Sequence, residues 1–178
     1  MLKSCGGLDD WFPELLNIEL SHIRSIWQML DDQFQGGDGN TLDWQKYSAL
    51  GWVLKLNESE SLSQRLSVPK DFRRSVMQLS ENGQLLDNWR DLTAAGLLKA
   101  IENLGALRQT SRSESIIALI SVCSGKDHAV LLRIITGVKL IGVDGLSNAG
   151  ELAGAAIGSA IREARLDYIR SQIYSMSS

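Results

Sequence analysis

Apolar residues recur along this chain at intervals of three and four, not two. That spacing is the signature of helices that turn one face into a core. Leu20, Ile23, Trp27, Leu30 and Phe34 step in this way and predict a first helix. Gly36-Gly37-Asp38-Gly39-Asn40 then breaks the pattern as a loop, and Thr41 is placed to cap the next helix. That helix carries Tyr47, Leu50 and Leu54. Ala49 and Val53 widen its apolar face, which implies burial against more than one neighbour. Pro69 suits the first turn of a third helix, because the N–H that proline lacks would be unpaired there. Asp71 in that turn complements the helix dipole, and Phe72, Val76 and Leu79 form its stripe.

A helix through Leu97, Ile101 and Leu104 follows and should end near Gly105. Residues 109–114 are polar and read as a linker, which divides the chain into a region 1–108 and a region 109–178. Residues 116–122 and 130–135 are apolar on most sides and should be core helices, with Gly137 as a C-terminal stop. Residues 142–145 make a turn. Ser147 or Asn148 then caps the longest helix, running to about Tyr174. Its apolar face holds Ile157, Ile161, Ala164 and Tyr168, with Glu163, Asp167 and Arg170 on the opposite, solvated face. Prolines are confined to Pro13 and Pro69, and alternating apolar runs stay short. The fold class expected is all-α, an irregular multi-helix array.

Composition narrows the function. The 178 residues are 44% hydrophobic and 22% charged, the balance of an ordinary globular chain. The formal net charge is −3. A dedicated nucleic-acid domain usually carries a basic excess, so any such contact must come from local patches. Cys5 and Cys123 belong to no CxxC or Cys/His cluster and read as reduced packing residues in a reducing compartment. The first ten residues lack the apolar stretch of a signal peptide, and the apolar tract 152–161 is shorter than the about 20 residues a bilayer needs. The expected setting is cytoplasmic, with no membrane partner.

Candidate chemistry is sparse. His22 and His128 have no ligand-spaced partner, and the adjacent carboxylates Asp9-Asp10 and Asp31-Asp32 diverge on a helix, so no metal and no cofactor is expected. Phosphate loops, nucleophile elbows and dinucleotide fingerprints do not occur, and no catalytic residue is assigned. Asp87-Asn88-Trp89-Arg90 places an acid and an arginine three apart. Such a pair can read a nucleobase edge, but it also fits a surface ion pair beside a buried Trp.

Basic residues gather in two places. Arg65, Lys70, Arg73 and Arg74 surround the start of the third helix, and Lys70 shares a face with Arg73 and Arg74. Arg133, Lys139, Arg162, Arg165 and Arg170 stand near the C-terminus. Each cluster fits either a solvated face or a row of phosphate contacts, which position a nucleic acid without reading its sequence. Gly150, Gly154 and Gly158 recur every fourth residue, a ridge without side chains that costs roughly 1 kcal/mol per glycine in a helix. Close packing of another helix explains such a ridge, and so does approach of an RNA backbone.

Several blocks together resemble a known family. Ile134-Ile135-Thr136-Gly137, Leu140-Ile141-Gly142-Val143, Gly150 through Ile157-Gly158, and Ile161-Arg162-Glu163-Ala164-Arg165-Leu166-Asp167 look like the tail of bacterial-type tRNA nucleotidyltransferases and the related poly(A) polymerases. Trp11-Phe12-Pro13-Glu14-Leu15 resembles the F-P-E-L that opens the body of that family. Tyr47-Ser48-Ala49-Leu50-Gly51-Trp52 is loosely similar to its R-x-A-A-L-L helix, and Arg65-Leu66-Ser67-Val68-Pro69-Lys70 to its R-L-x-x-P segment. There are departures: Val138-Lys139 stands where the family carries an acid, and the loop before the last helix is atypical. The catalytic head with its D-x-D metal pair and the neck with its E-D-x-x-R helix have no counterpart in this sequence.

The resemblance therefore implies a body and tail, helical parts that hold tRNA or another structured RNA by its backbone. The chemistry would sit on a separately encoded or excised catalytic head. Charge reversal at Arg162 and Arg165 should then weaken RNA binding most if the tail makes the contact. The competing reading is a helical protein-interaction or structural module with no RNA role.

Overall fold

The computed structural model describes residues 12–33, 39–108, 110–142 and 154–177, and the regular elements among them are helices. They are α1 (Leu20–Gln33), α2 (Gly39–Ala49), α3 (Leu56–Arg65), α4 (Lys70–Asp87), α5 (Ala94–Leu104), α6 (Thr110–Ser124), α7 (Ala129–Leu140) and α8 (Ala155–Ser177), with 3-10 turns at Pro13–Leu15, Leu50–Trp52 and Trp89–Asp91. The all-α class follows directly. By internal contacts the chain falls into two compact units, Met1–Asp87 with Ala118–Lys126, and Asn88–Ile117 with Asp127–Ser178. From Thr110 on, the polar stretch read as a linker is instead the start of α6. Ser113 is buried there, and the Ser115 hydroxyl bonds the Ser111 carbonyl at 3.0 Å, so a polar run is built into a helix.

In the first unit, Ile23, Leu50, Leu54, Leu62 and Val76 form a buried cluster, against which Phe12, Leu15, Ile18, Leu20 and Tyr47 pack. The buried face of α1 is Ile23, Ile26 and Leu30. Trp27 turns outward and donates its Nε1–H to the Lys46 carbonyl at 3.0 Å. Lys46 also pairs with Asp31 at 2.6 Å, so α1 is tied to α2 at two points. Of the loop expected at 36–40, positions 36–38 lie outside the described residues, while Gly39 and Asn40 open α2. α2 begins at Gly39, which puts Thr41 inside the first turn and not at the cap.

α2 stops at Ala49, and the turn Leu50–Trp52 lies directly on α4. A Cβ on Gly51 would sit 2.2 Å from the Val76 carbonyl oxygen, so only glycine fits this approach. Leu50 and Leu54 are thus buried from a turn and a loop, not from one helix face. α4 begins one residue after Pro69, whose carbonyl accepts the Arg73 N–H at 3.1 Å. Its buried face mixes Val76, Leu79 and Leu86 with Ser75, Gln78 and Asn82. Tyr47 spans the helices here. Its ring lies 5.9 Å from that of Phe72, and its hydroxyl meets Ser63 Oγ at 2.9 Å. Ser63 donates to the Ser59 carbonyl, so Tyr47 is the donor to Ser63. Burial raises the Tyr47 pKa, and the nearby Glu14 charge adds to this against the Ser63 bond.

The second unit has an apolar interior. α5 is capped at Thr93, whose side chain accepts the Gly96 N–H at 3.1 Å. It ends at Gly105, whose φ of 73° lets the chain turn back so that Ala106 N–H reaches the Ile101 carbonyl. Leu97, Leu98, Ile101 and Leu104 are buried on one side, as the spacing predicts. Ala129 N–H bonds Asp127 Oδ1 at 2.8 Å at the start of α7. α7 does not stop at Gly137 but runs on to Leu140. The glycine serves packing: a Cβ there would lie 2.1 Å from the Tyr168 hydroxyl oxygen on α8. α8 buries Leu166 and Ile169, with Ile157, Ile161, Ala164 and Tyr168 half-buried beside them. Fully burying Ile169 alone contributes about 2 kcal/mol, which explains why so polar a helix docks at all.

Candidate nucleic-acid interface

The first basic cluster sits on the end of α3, the loop after it and the first turns of α4. The structure separates its members by partner. Arg65 pairs with Glu14, whose side chain is only 7% exposed and also accepts the Ser61 hydroxyl at 2.8 Å. Arg73 Nη2 pairs with Glu60 Oε1 at 2.9 Å, with both side chains near 40% exposure. Lys70 and Arg74 are exposed and form no ion pair among the described residues. They stand one turn apart on α4, so both ammonium and guanidinium leave the helix on one side.

The second cluster is divided in the same way. Arg162 Nη1 meets both carboxylate oxygens of Glu102 at 3.1 Å. Arg165 donates to the Ile141 carbonyl at 3.0 Å, while its buried Nε has no partner. Arg170 pairs with Asp167 at 2.6 Å and Glu163 at 3.1 Å, and these acids raise its pKa. Arg133 is exposed and unpaired among the described residues, and Lys139 is exposed and held by a contact of its own. The two clusters lie in different compact units, Arg65 to Arg74 in one and Arg133 to Arg170 in the other.

The glycine ridge is not a packing seam over its described part. Gly154 precedes α8 with a φ of +56°, Gly158 lies on its exposed side, and a Cβ on either would meet nothing within 4 Å. Gly150 lies outside the described residues, as do Cys5, Asp9-Asp10 and the expected caps Ser147 and Asn148. The acid and arginine of Asp87-Asn88-Trp89-Arg90 do not pair with each other. Asp87 Oδ2 takes Lys126 Nζ at 2.6 Å, and Arg90 lies over the ring of the buried Trp89 at 4.8 Å. The helix ends at Asp87, so the two residues do not share a helix face, and Arg90 lies in the 3-10 turn that follows.

Other chemistry is limited. Among the described residues no group of three His, Cys, Asp or Glu could hold a metal ion. Burial pushes the Cys123 thiol up to about 12, so it is a packing residue and not a nucleophile at neutral pH. Among the described residues no helix is long and apolar enough to cross a membrane. Spacing alone cannot reveal the carboxylates that occupy the arginines. Glu60 stands on a helix with almost no apolar stripe, and Glu102 lies 60 residues from the arginine it holds. No family model matches the chain, and neither a curated protein nor a solved structure matches it.

Proposed function

We propose that this chain is an RNA-holding helical module of the tRNA nucleotidyltransferase and poly(A) polymerase type. It grips the sugar–phosphate of tRNA or another structured RNA while chemistry is done on a separate catalytic head. The observation that carries this reading is the Lys70–Arg74 face. These cations are exposed, one turn apart, and unneutralised among the described residues, although their neighbours Arg65 and Arg73 are each tied to a glutamate. Arg133 offers the same kind of exposed charge in the other unit. Backbone contacts of this sort read the shape of an RNA, not its sequence.

The test is a titration of folded tRNA at about 50 mM and about 200 mM salt, since each phosphate contact contributes about one to the slope of log affinity against log salt. Lys70→Glu with Arg74→Glu should flatten that slope by about two. No binding at low salt overturns the reading. The alternative, a protein-interaction module, is favoured by the net charge of −3 and by Leu140 and Tyr174, which are 80% and 74% exposed. It predicts no RNA binding at any salt concentration.

A further inference from the structure

Resting on that RNA-holding reading, we infer that Glu60 masks Arg73 as a latent phosphate contact, so that the strength of RNA binding by the α4 face is set by an internal carboxylate. Lys70, Arg73 and Arg74 are spaced i, i+3 and i+4 at the start of α4 and share one side of the helix. A phosphate backbone seated on Lys70 and Arg74 passes the position of Arg73. Arg73 is not buried out of reach: its side chain is 40% exposed, and so is 44% of that of Glu60.

The contrast with Arg65 is informative. Glu14 is 7% exposed and also accepts the Ser61 hydroxyl, so the Arg65–Glu14 pair is anchored at a nearly buried acid, although the Arg65 side chain itself is 35% exposed. The Arg73–Glu60 pair joins two half-exposed side chains through one 2.9 Å bond, and Glu60 also accepts the Gln64 amide at 3.4 Å. Exposed pairs of this kind are weak and screened by salt. A guanidinium carries five donors, and the Glu60 bond uses one. A phosphate can therefore take the remaining donors or displace the carboxylate. Displacement leaves Glu60 beside a phosphate, which is repulsive, so the glutamate lowers affinity either way.

The experiment is the tRNA titration repeated with Glu60→Gln, Arg73→Ala and the double variant. Glu60→Gln should tighten binding about three- to tenfold at low salt and steepen the salt slope by about one. Arg73→Ala should weaken binding, because it removes a donor and leaves the Glu60 carboxylate uncompensated beside Lys70 and Arg74. In the Arg73→Ala background the Glu60→Gln gain should be smaller and should no longer steepen the salt slope, since no masked cation is left to release. A double-mutant cycle isolates that coupling. An equal Glu60→Gln gain with and without Arg73 overturns the inference, as does binding by the wild type with no gain at all. If neither the wild type nor Glu60→Gln binds tRNA, both this inference and the RNA-holding reading fall together. Thermal melts of all variants verify that the fold is kept.

Discussion

The Tyr168 ring on α8 occupies the space that a side chain at position 137 of α7 would need. A Cβ there would lie 2.1 Å from the tyrosine hydroxyl oxygen and 2.3 Å from its Cζ. Two opposed effects decide the outcome of Gly137→Ala. Alanine in a helix interior is favoured by about 1 kcal/mol, whereas overpacking a filled core costs about 1–3 kcal/mol. The ring atoms cannot all move aside, so the clash wins and the variant is less stable. In a Tyr168→Leu background the clash is gone, and Gly137→Ala should become neutral or stabilising. Urea denaturation of the four proteins tests this, and an equal cost of Gly137→Ala in both backgrounds would contradict it.

Gly51 should be still less tolerant. The atom its Cβ would meet is the Val76 carbonyl oxygen at 2.2 Å, with Ser80 N at 3.0 Å. Backbone cannot swing away as a side chain does, so the 3-10 turn would have to lift from α4. Gly51→Ala should therefore cost about 3 kcal/mol or more. Its denaturation midpoint should lie below that of Gly137→Ala, and the reverse order would show that the turn is not pinned.

These two glycines mark the limit of what the sequence can disclose. The pattern finds α1, α4, α5, the apolar parts of α6 and α7, and α8, because each carries apolar residues at helical spacing. It does not announce α3. That helix buries Ser59, Leu62 and Ser63, so only one buried position is apolar. The pattern does find α2, but not its buried face, where Gln45 and Ser48 lie beside Ala49. Small polar residues reach an interior when their hydroxyls bond the helix carbonyl one turn back, as Ser63 and Ser75 do. Hydrophobic periodicity cannot register that. For the same reason the basic clusters are legible as clusters, but the division into paired and unpaired cations is not, since it depends on acids distant in sequence.

That division has a mutational consequence within the first cluster. Removing Arg65 leaves the nearly buried Glu14 carboxylate with the Ser61 hydroxyl bond alone of the two just described. Arg65→Ala should cost about 1–3 kcal/mol of stability, because a buried acceptor loses a charged donor. Lys70→Ala, at an exposed position, should stay within about 0.5 kcal/mol. RNA affinity should behave in the opposite sense, falling for Lys70→Ala with the fold intact. Stability and affinity measured on the same two variants separate the roles, and equal stability losses would contradict the assignment.

Cys123 supplies a prediction in pH. Burial raises its folded pKa from the ordinary 9.0 to about 12. The unfolded thiol therefore loses its proton first as pH rises. The contribution to stability is complete below about pH 9 and is lost progressively as pH climbs from there toward 12. Comparing wild type with Cys123→Ala between pH 8 and about 10 removes the shared contribution of lysines and tyrosines. The difference between the two should narrow with rising pH. Native alkylation of this thiol at neutral pH should also be slow, and fast only in denaturant. Rapid native labelling of Cys123 would contradict both statements.

The chain passes between its two compact units at residues 87/88, 117/118 and 126/127, and α6 contributes its first half to one and its second half to the other. For deletion mapping this is decisive. Any single cut that ends a fragment before residue 118 strips the first unit of its 118–126 segment, and any fragment that starts after residue 88 strips the second of part of its own chain. A truncation that abolishes binding would report lost folding as readily as a lost contact, so point substitutions at exposed cations are the instrument suited to locating where this protein holds its partner.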